Sequence, residues 1–349
     1  MNISFEFSRL LGGAGIAVFA ASAIASACLV LLLRPVLKRY TLAMPNARSS
    51  HRIPTPQGGG MAVIAAVIGS VIVIMGAAGA LTPDVVALLA PLFLAIVFIA
   101  VVGGVDDIRS IAIVPRLMLQ ALAVCLMIVS LPTELRVIQA LPWWIERALM
   151  LIACVWFVNL SNFMDGIDWM TVAEVVPVTI GLVLIGLVGG LPSYAVIVSL
   201  ALCGAMIGFA PFNRPVARLF LGDVGSLPIG LLLSWLLVLL AGEGHLIAAL
   251  LLPLFYVTDA TVTLLWRIVN GERFWEAHRS HFYQQALVKG FNSVEVVSHV
   301  LIVNVVLVAL AITTVLRFGT IMNFLAFAIG VALVSALLYS FTRDKNRAH

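Results

Sequence analysis

Five aspartates and two asparagines stand in short polar segments, at spacings that suit a hard metal ion and phosphate groups. Asp106 and Asp107 are adjacent, and the segment NLSNFMDGIDWM (159–170) holds two amides and two carboxylates. Adjacent carboxylates repel each other and titrate as a coupled pair, and a divalent cation relieves that repulsion. Mg²⁺ prefers oxygen ligands and usually takes one or two carboxylates together with substrate phosphates. The residues of this pattern are Asp106, Asp107, Asn159, Asn162, Asp165, Asp168 and Asp223.

Glycine-rich and basic segments could supply the phosphate-binding half of such a site. FLGDVGS (220–226) and PQGGG (56–60) each lead directly into an apolar run, and HRSH (278–281) is a compact cationic cluster. Glycine allows close approach of a backbone to a ligand, and a helix N-terminus binds phosphate through its N–H groups. Arginine makes paired hydrogen bonds with phosphate oxygens. Without a ligand, the same segments would be simple turns, a flexible loop and membrane-surface charge.

The elements that must position these residues are membrane helices. The chain has 349 residues, of which 62% are hydrophobic and 10% charged. About 20 apolar residues span a bilayer core as a helix. Eleven apolar runs meet this description, of which the fourth is short: 12–33, 61–81, 84–103, 117–131, 144–160, 172–188, 193–211, 225–241, 246–265, 297–316 and 321–341. We therefore predict an all-α integral membrane protein with about eleven transmembrane helices, and a single polytopic domain over 1–349.

The placement of basic residues predicts the orientation. With the N-terminus on the periplasmic side and the C-terminus in the cytoplasm, sixteen of the twenty Lys and Arg residues fall on the cytoplasmic side. Such an excess is the usual topology signal, so the net charge of +4 requires no nucleic acid. The four cysteines are scattered through the apolar runs, which predicts neither a zinc site nor a disulfide framework.

Nearly all the unusual residues fall in five segments of the cytoplasmic face. These segments are 34–60, 103–116, 159–171, 212–226 and 267–295. The connections on the other side are mostly short turns. This asymmetry predicts one composite site at the cytoplasmic membrane surface.

The chain resembles the polyprenyl-phosphate N-acetylhexosamine-1-phosphate transferases of glycosyltransferase family 4. Five motifs in order carry the resemblance over nearly the whole chain: PNARSSHRIPTPQGGG, DD at 106–107, NLSNFMDGID, FNRPVARLFLGDVGS and HRSHFYQ. The helix count resembles the branch that initiates O-antigen in lipopolysaccharide biosynthesis. The related peptidoglycan branch, the phospho-MurNAc-pentapeptide translocases, typically has ten helices and three consecutive histidines, where this chain has His278-Arg279-Ser280-His281.

The resemblance implies an activity and a set of partners. It implies transfer of N-acetylhexosamine-1-phosphate from a UDP-sugar to undecaprenyl phosphate at the bacterial inner membrane, with release of UMP. It implies Mg²⁺, with Mn²⁺ as a substitute. The sugar, the glycan and a homodimeric state stay open, as does the choice between direct attack by the lipid phosphate and an aspartyl phospho-enzyme.

The resemblance also implies roles for individual residues. Asp223 with Asn162 would hold the metal, and Asp106, Asp107, Asp165 and Asp168 would be the catalytic carboxylates, the first two near the lipid phosphate. The implied substrate-binding residues are Asn159, Asn213 (toward uridine), His278, Arg279 and His281, with Arg48, Ser50 and His51 beside them.

Three positions depart from the family pattern. Ala43 stands where an aspartate is frequent, Gln57 where an arginine often precedes the glycine triplet, and Trp169 where a glycine commonly follows the DGxD-type motif.

Two other function classes fit a helical membrane protein with buried acids. A transporter of a polyprenyl lipid or divalent cation would place ionisable residues near the middle of the bilayer, often in broken helices. A binding subunit without catalysis would not need the intact set of acids.

Overall fold

The computed structural model describes residues 10–43, 54–272, 279–316 and 319–345. These residues form a helical bundle with one short β-ladder, in which β1 (Leu42–Ala43) pairs antiparallel with β2 (Thr55–Pro56). The helices, preceded by a π-helical turn at Leu10–Ala14, are α1 (Gly15–Tyr40), α2 (Gly60–Ala77), α3 (Pro83–Ile108), α4 (Ile113–Val129), α5 (Trp143–Met164), α6 (Met170–Leu187), α7 (Ser193–Asn213), α8 (Asp223–Gly242), α9 (Leu246–Leu251), α10 (Leu254–Val269), α11 (Phe282–Val288), α12 (Ser293–Val315) and α13 (Thr320–Thr342).

Nine helices of the described ranges are long and apolar enough to cross a membrane, which confirms an all-α membrane protein. The two remaining apolar runs are different. Helix α4 has only 17 residues, as the weak fourth run suggested. The run 246–265 is not one helix, because the chain breaks at Leu252–Pro253 between α9 and α10. Proline has no N–H to donate and its ring clashes with the preceding turn, so it interrupts the helix here.

All five segments that were predicted to be cytoplasmic loops contain helical residues, and in two of them a helix continues well past its predicted end. Helix α1 continues from Arg34 to Tyr40, and α3 continues through Asp106 and Asp107 to Ile108. The prediction ended these helices at positions 33 and 103, before the charged residues. The long side chains of Arg34 and Lys38 do not require the backbone to leave the helix, because such side chains extend to the membrane surface.

Helix α8 lies at the centre of the bundle. It packs against α2, α3, α5 and α9, and nearly all its residues are buried. Apolar residues occupy every face of α8, as expected for a helix surrounded by other helices. Around it, α1 packs on α7 and α2, and α12 packs on α6.

Glycines allow backbones to touch where α2 and α3 meet the first turn of α8. A Cβ added to Gly60 would lie 2.1 Å from the Cα of Gly225. A Cβ added to Gly103 would lie 2.3 Å from the backbone oxygen of Asp223. The prediction that the glycines of PQGGG and GDVGS approach a ligand is therefore wrong for Gly60 and Gly225, which approach each other.

The segments PQGGG (56–60) and FLGDVGS (220–226) also pair along their backbones. The N–H of Phe220 donates to the carbonyl of Pro56 (2.9 Å), and the N–H groups of Gly59 and Gly60 donate to Phe220 and Leu221 (2.9 and 2.8 Å). The PQGGG segment is thus held by backbone hydrogen bonds to the residues just before α8. The interpretation of this segment as a flexible loop is wrong.

We expect Gly60→Ala to destabilise the fold. The new methyl group would meet backbone atoms, which cannot rotate away, so the cost should be about 1–3 kcal/mol. Thermal unfolding in detergent, followed by tryptophan fluorescence, should show a lower Tm. The matched control is Gly69→Ala in the same helix, where a Cβ meets no atom within 4 Å. Equal Tm values for the two variants would contradict the close contact.

Candidate active site

The carboxylate of Asp107 caps a helix that belongs to another part of the chain. Its Oδ1 accepts the backbone N–H of Asp223 (2.9 Å), and its Oδ2 accepts that of Val224 (3.1 Å). The first N–H groups of a helix have no partner within the helix, and a negative charge at this end is favourable. Asp107 therefore joins the C-terminal end of α3 to the N-terminal end of α8.

Asp223 and Asn162 form the second contact of this region. The Asn162 amide donates to Oδ1 of Asp223 (2.7 Å) and to the hydroxyl of Ser226 (3.0 Å). Helix α5 thereby contributes its last turn to the start of α8. The two residues predicted to hold a metal are in direct contact.

Asp106 points away from Asp107. Its Oδ1 accepts the backbone N–H of Ile111 (2.6 Å), and its Oδ2 pairs with Arg116 (3.0 Å). Each carboxylate of the adjacent pair thus has its own protein donors. The two side chains contact different helices, and a divalent cation that relieves the repulsion between them stays a prediction.

Asp165 and Asp168 lie in the turn that joins α5 to α6. Asp165 ends α5 and accepts a hydrogen bond from the Thr171 hydroxyl, while Oδ2 of Asp168 accepts the backbone N–H of Ala217 (2.9 Å). Burial raises the pKa of Asp165 to about 8, against the opposing effect of Thr171; nearby Asp223, Asp107 and Asp168 raise it further. These four carboxylates are therefore electrostatic neighbours.

Asn213 shapes the backbone of the same turn. Its Oδ1 accepts the N–H of Trp169 (2.8 Å), and its Nδ2 donates to the carbonyl of Leu219 (3.1 Å). Trp169 has φ +66°, the only positive φ of a non-glycine residue in the described part of the chain. Its indole N–H donates to the carbonyl of Ala210 (2.7 Å), which anchors the ring. The uridine contact of Asn213 stays a prediction.

A cavity of about 820 Å³ opens beside Asn162 and Arg116. Most of its wall is apolar and comes from α4, α5 and α10. Its polar lining consists of Arg116, Asn159, Asn162, His281 and Gln284. The shape and chemistry suit a molecule with a long apolar part and an anionic end.

Some of the remaining predicted site residues are described by the structure, and the others lie outside the described ranges. Asn159 is buried and donates to Gln120 (2.7 Å), and His281 is buried at the cavity wall. Arg279 is partly exposed at the start of the same segment. His278, Arg48, Ser50 and His51 lie outside the described residues.

Sequence reasoning missed Arg116 and Gln120 as site residues. Arg116 pairs with Asp106, and Gln120 holds Asn159. The signal was present, since the two polar residues are four positions apart on α4 and therefore share one face of an otherwise apolar helix.

The residues present fit a Mg²⁺ ion in a limited way. The described part of the chain holds no cluster of three His, Cys, Asp or Glu residues that could bind a metal. Mg²⁺ does not need such a cluster, because it keeps water molecules and takes substrate phosphates as ligands. Asp223 would be the protein ligand, and Asn162 would orient it through the amide N–H.

Comparison with known proteins gives one family. The model of glycosyl transferase family 4 matches residues 89–241, which include nearly all of α8 and the segments of Asp106, Asp107, Asn162, Asp165 and Asp223. This match agrees with the resemblance that the five motifs carry.

Individual relatives agree with the family. A probable undecaprenyl-phosphate N-acetylglucosaminyl 1-phosphate transferase of Bacillus subtilis is 26% identical over 289 residues, 77% of this chain and 77% of that protein. A phospho-N-acetylmuramoyl-pentapeptide-transferase of Neisseria meningitidis is 32% identical over 173 residues, 45% of this chain and 47% of that protein. The phospho-N-acetylmuramoyl-pentapeptide-transferase of Leuconostoc citreum is 30% identical over 203 residues, 53% of this chain and 62% of that protein. The matched part thus spans about half to three fifths of these two pentapeptide transferases.

We expect Asp165 of the metal-free protein to be protonated at neutral pH. With its pKa raised to about 8, an infrared difference spectrum should show a protonated carboxyl band at pH 6.5 that disappears by pH 9.5. Because the folded pKa exceeds the unfolded one, this group's contribution to stability is full below about pH 4 and is lost as the pH rises through 8. Asp165→Asn should lower the intensity of this band. An unchanged spectrum in that variant, or the absence of the band in the wild type, would contradict the assignment.

We expect Trp169→Gly to be more stable than Trp169→Ala. Both variants lose the indole contacts, but only glycine adopts the left-handed conformation without strain, which is worth about 1–2 kcal/mol. Chemical or thermal unfolding of the two variants measures the difference. Equal stability would show that the turn relaxes to a negative φ once the ring is removed.

Proposed function

We propose that this chain, whose residues 89–241 match glycosyl transferase family 4, transfers N-acetylhexosamine-1-phosphate from a UDP-sugar to a polyprenyl phosphate such as undecaprenyl phosphate. In this reaction an oxygen of the lipid phosphate attacks the β-phosphorus of the UDP-sugar. The bond from that phosphorus to the bridging oxygen breaks, and UMP leaves with the electron pair. The product is a sugar linked to the lipid through a diphosphate.

One observation carries the proposal: an apolar cavity lies beside a cluster of carboxylates and amides. The wall from Ile113 to Ala121 and from Leu151 to Trp156 suits an isoprenoid chain. At the polar lining, Arg116 and His281 suit the lipid phosphate. Asp107, Asp165 and Asp223 stand next to this region, where the donor's diphosphate would meet the acceptor.

The chemistry is mainly electrostatic. A lipid phosphate must approach a diphosphate that is already negative, and two anions rarely meet without a site that positions them. Mg²⁺, with Mn²⁺ as a substitute, would supply positive charge that offsets this repulsion when bound at Asp223. Asn162 orients Asp223, and Asp107 fixes the backbone from which Asp223 projects.

The roles of the three remaining carboxylates follow from their contacts. Asp106 would hold Arg116 beside the lipid phosphate. Asp165, which is protonated near neutral pH without a metal, can release its proton when positive charge enters the site. Asp168 holds the 212–222 loop through Ala217. Both the direct attack and the phospho-enzyme route remain compatible with this arrangement, and UMP release without any lipid would favour the second.

We propose eleven membrane passes, a periplasmic N-terminus, and a site that faces the cytoplasm. The nine long helices, α4, and the α9–α10 pair supply these passes. The C-terminal ends of α3 and α5 and the N-terminal ends of α2 and α8 meet at the site, as opposite chain directions require. A UDP-sugar is soluble and cytoplasmic, which supports this orientation in the inner membrane.

For the donor, we propose UDP-N-acetylglucosamine as the first candidate, with O-antigen initiation as the pathway. The printed name of the Bacillus relative supports the sugar, and that relative shares the larger part of the chain. The sequence His278-Arg279-Ser280-His281 stands where the peptidoglycan branch typically has three consecutive histidines, which supports a branch other than peptidoglycan synthesis.

The test is UMP release by purified protein with undecaprenyl phosphate, Mg²⁺ and a panel of UDP-N-acetylhexosamines. We expect release with one donor, loss on addition of EDTA, and a decrease on the order of 10²–10³-fold in Asp223→Asn.

The control variant is Asp84→Asn. Asp84 is exposed in the first turn of α3, at the end of that helix opposite Asp107, so its activity should equal that of the wild type. Normal turnover by Asp223→Asn would contradict the metal assignment. No release with any donor, together with flux of lipid or cation in vesicles, would favour the transporter.

A further inference from the structure

Asp259 is a fully buried carboxylate in the second turn of α10, and the proposed reaction assigns it no role. Four donors surround it. Its Oδ1 lies 3.1 Å from Nδ1 of His281 and 3.1 Å from the backbone N–H of Phe282. Its Oδ2 accepts the N–H of Tyr283 (3.1 Å), and the Thr263 hydroxyl donates at 3.3 Å. Hydrogen bonds from several donors fix the orientation of a carboxylate and favour its ionised form.

The imidazole of His281 is held in place by its neighbours. The ring stacks on Tyr283, with 5.7 Å between the ring centroids, and it lies 6.2 Å from the ring of Phe163. The hydroxyl of Tyr283 donates to the carbonyl of Phe163 (2.9 Å), which ties the two aromatic residues together. His281 therefore has little freedom to turn, and it lines the same cavity as Asn162 and Arg116.

We propose that Asp259 is a positioning residue that sets the tautomer of His281. An ionised carboxylate only accepts hydrogen bonds, so the nitrogen facing it must carry a proton. That nitrogen is Nδ1, so Nε2 is the nitrogen through which His281 acts on an anionic ligand of the cavity. In the neutral ring Nε2 accepts a proton from a phosphate hydroxyl, and the O–H bond that breaks is replaced by Nε2–H. Asp259 then stabilises the imidazolium.

The inference rests on the proposed function for the nature of the ligand, but not for the tautomer. The competing explanation is purely structural: Asp259 also caps the start of α11, and it could be retained for that contact alone. The two roles differ in Asp259→Ala. Alanine removes the acceptor that faces Nδ1, so the neutral ring can carry its proton on Nε2, whereas a purely structural role predicts the same tautomer in the wild type and in the variant.

The experiment uses full-length protein labelled with ¹⁵N-histidine, in bilayers, observed by solid-state NMR. The His281 signals are assigned from their loss in His281→Gln. We expect a Nδ1–H tautomer in the wild type and a Nε2–H tautomer in Asp259→Ala. In the UMP assay, kcat of Asp259→Ala should fall by about 10- to 100-fold with KM little changed.

The matched control is Thr263→Val, which removes one donor from the same carboxylate and leaves the histidine pair intact. It should keep both the tautomer and kcat. A Nε2–H tautomer of His281 in the wild type, or an unchanged tautomer in Asp259→Ala, would overturn the proposal, whatever the activity. Equal losses of kcat in both variants, with one tautomer throughout, would assign Asp259 a structural role only. A wild type that releases no UMP would refute the proposed function, while the NMR result would still decide the tautomer.

Discussion

The hydrogen bonds from Asp107 to the first turn of α8 determine the geometry of everything around them. A helix buried on all sides leaves unpaired N–H groups at its start, and in a membrane protein water does not always reach them. Asp107 satisfies two of these groups from a different helix. This contact sets the register of α3 against α8. It also aims the side chains of Asp223 and Ser226 at Asn162 on α5.

The composition and the five polar segments were sufficient to predict an all-helical membrane protein, its family and the cluster formed by Asp107, Asn162, Asp165, Asp168 and Asp223. These predictions succeed because the cost of placing charge in a bilayer confines polar residues to helix ends. The direction of each carboxylate was not predictable. Asp106 and Asp107 are neighbours in sequence, yet successive residues on a helix point about 100° apart, and each found donors on a different element.

Other details depend on contacts between distant parts of the chain. Gly60 and Gly225 are far apart in sequence, and their backbone contact forms only in the folded bundle. Arg136 and Arg147 are two of the four basic residues that the predicted topology does not place on the cytoplasmic side. In the fold, Arg136 pairs with buried Glu146, and Arg147 donates to the carbonyl of Leu135 (2.8 Å), so both hold the loop at the end of the bundle opposite the site. A rule based on charge counts does not include such local partners.

The backbone contacts of Gly60 and Gly103 with the start of α8 have a mechanical consequence. The first turn of α8 is held in backbone contact with α2 and α3 at one end of these three helices. Membrane helices respond to a thicker or thinner bilayer chiefly by changing tilt. Here such tilting would pivot about the end in contact, so the distances between the carboxylates would change little while the opposite ends of the helices moved. The candidate site would then keep its geometry in bilayers of different thickness.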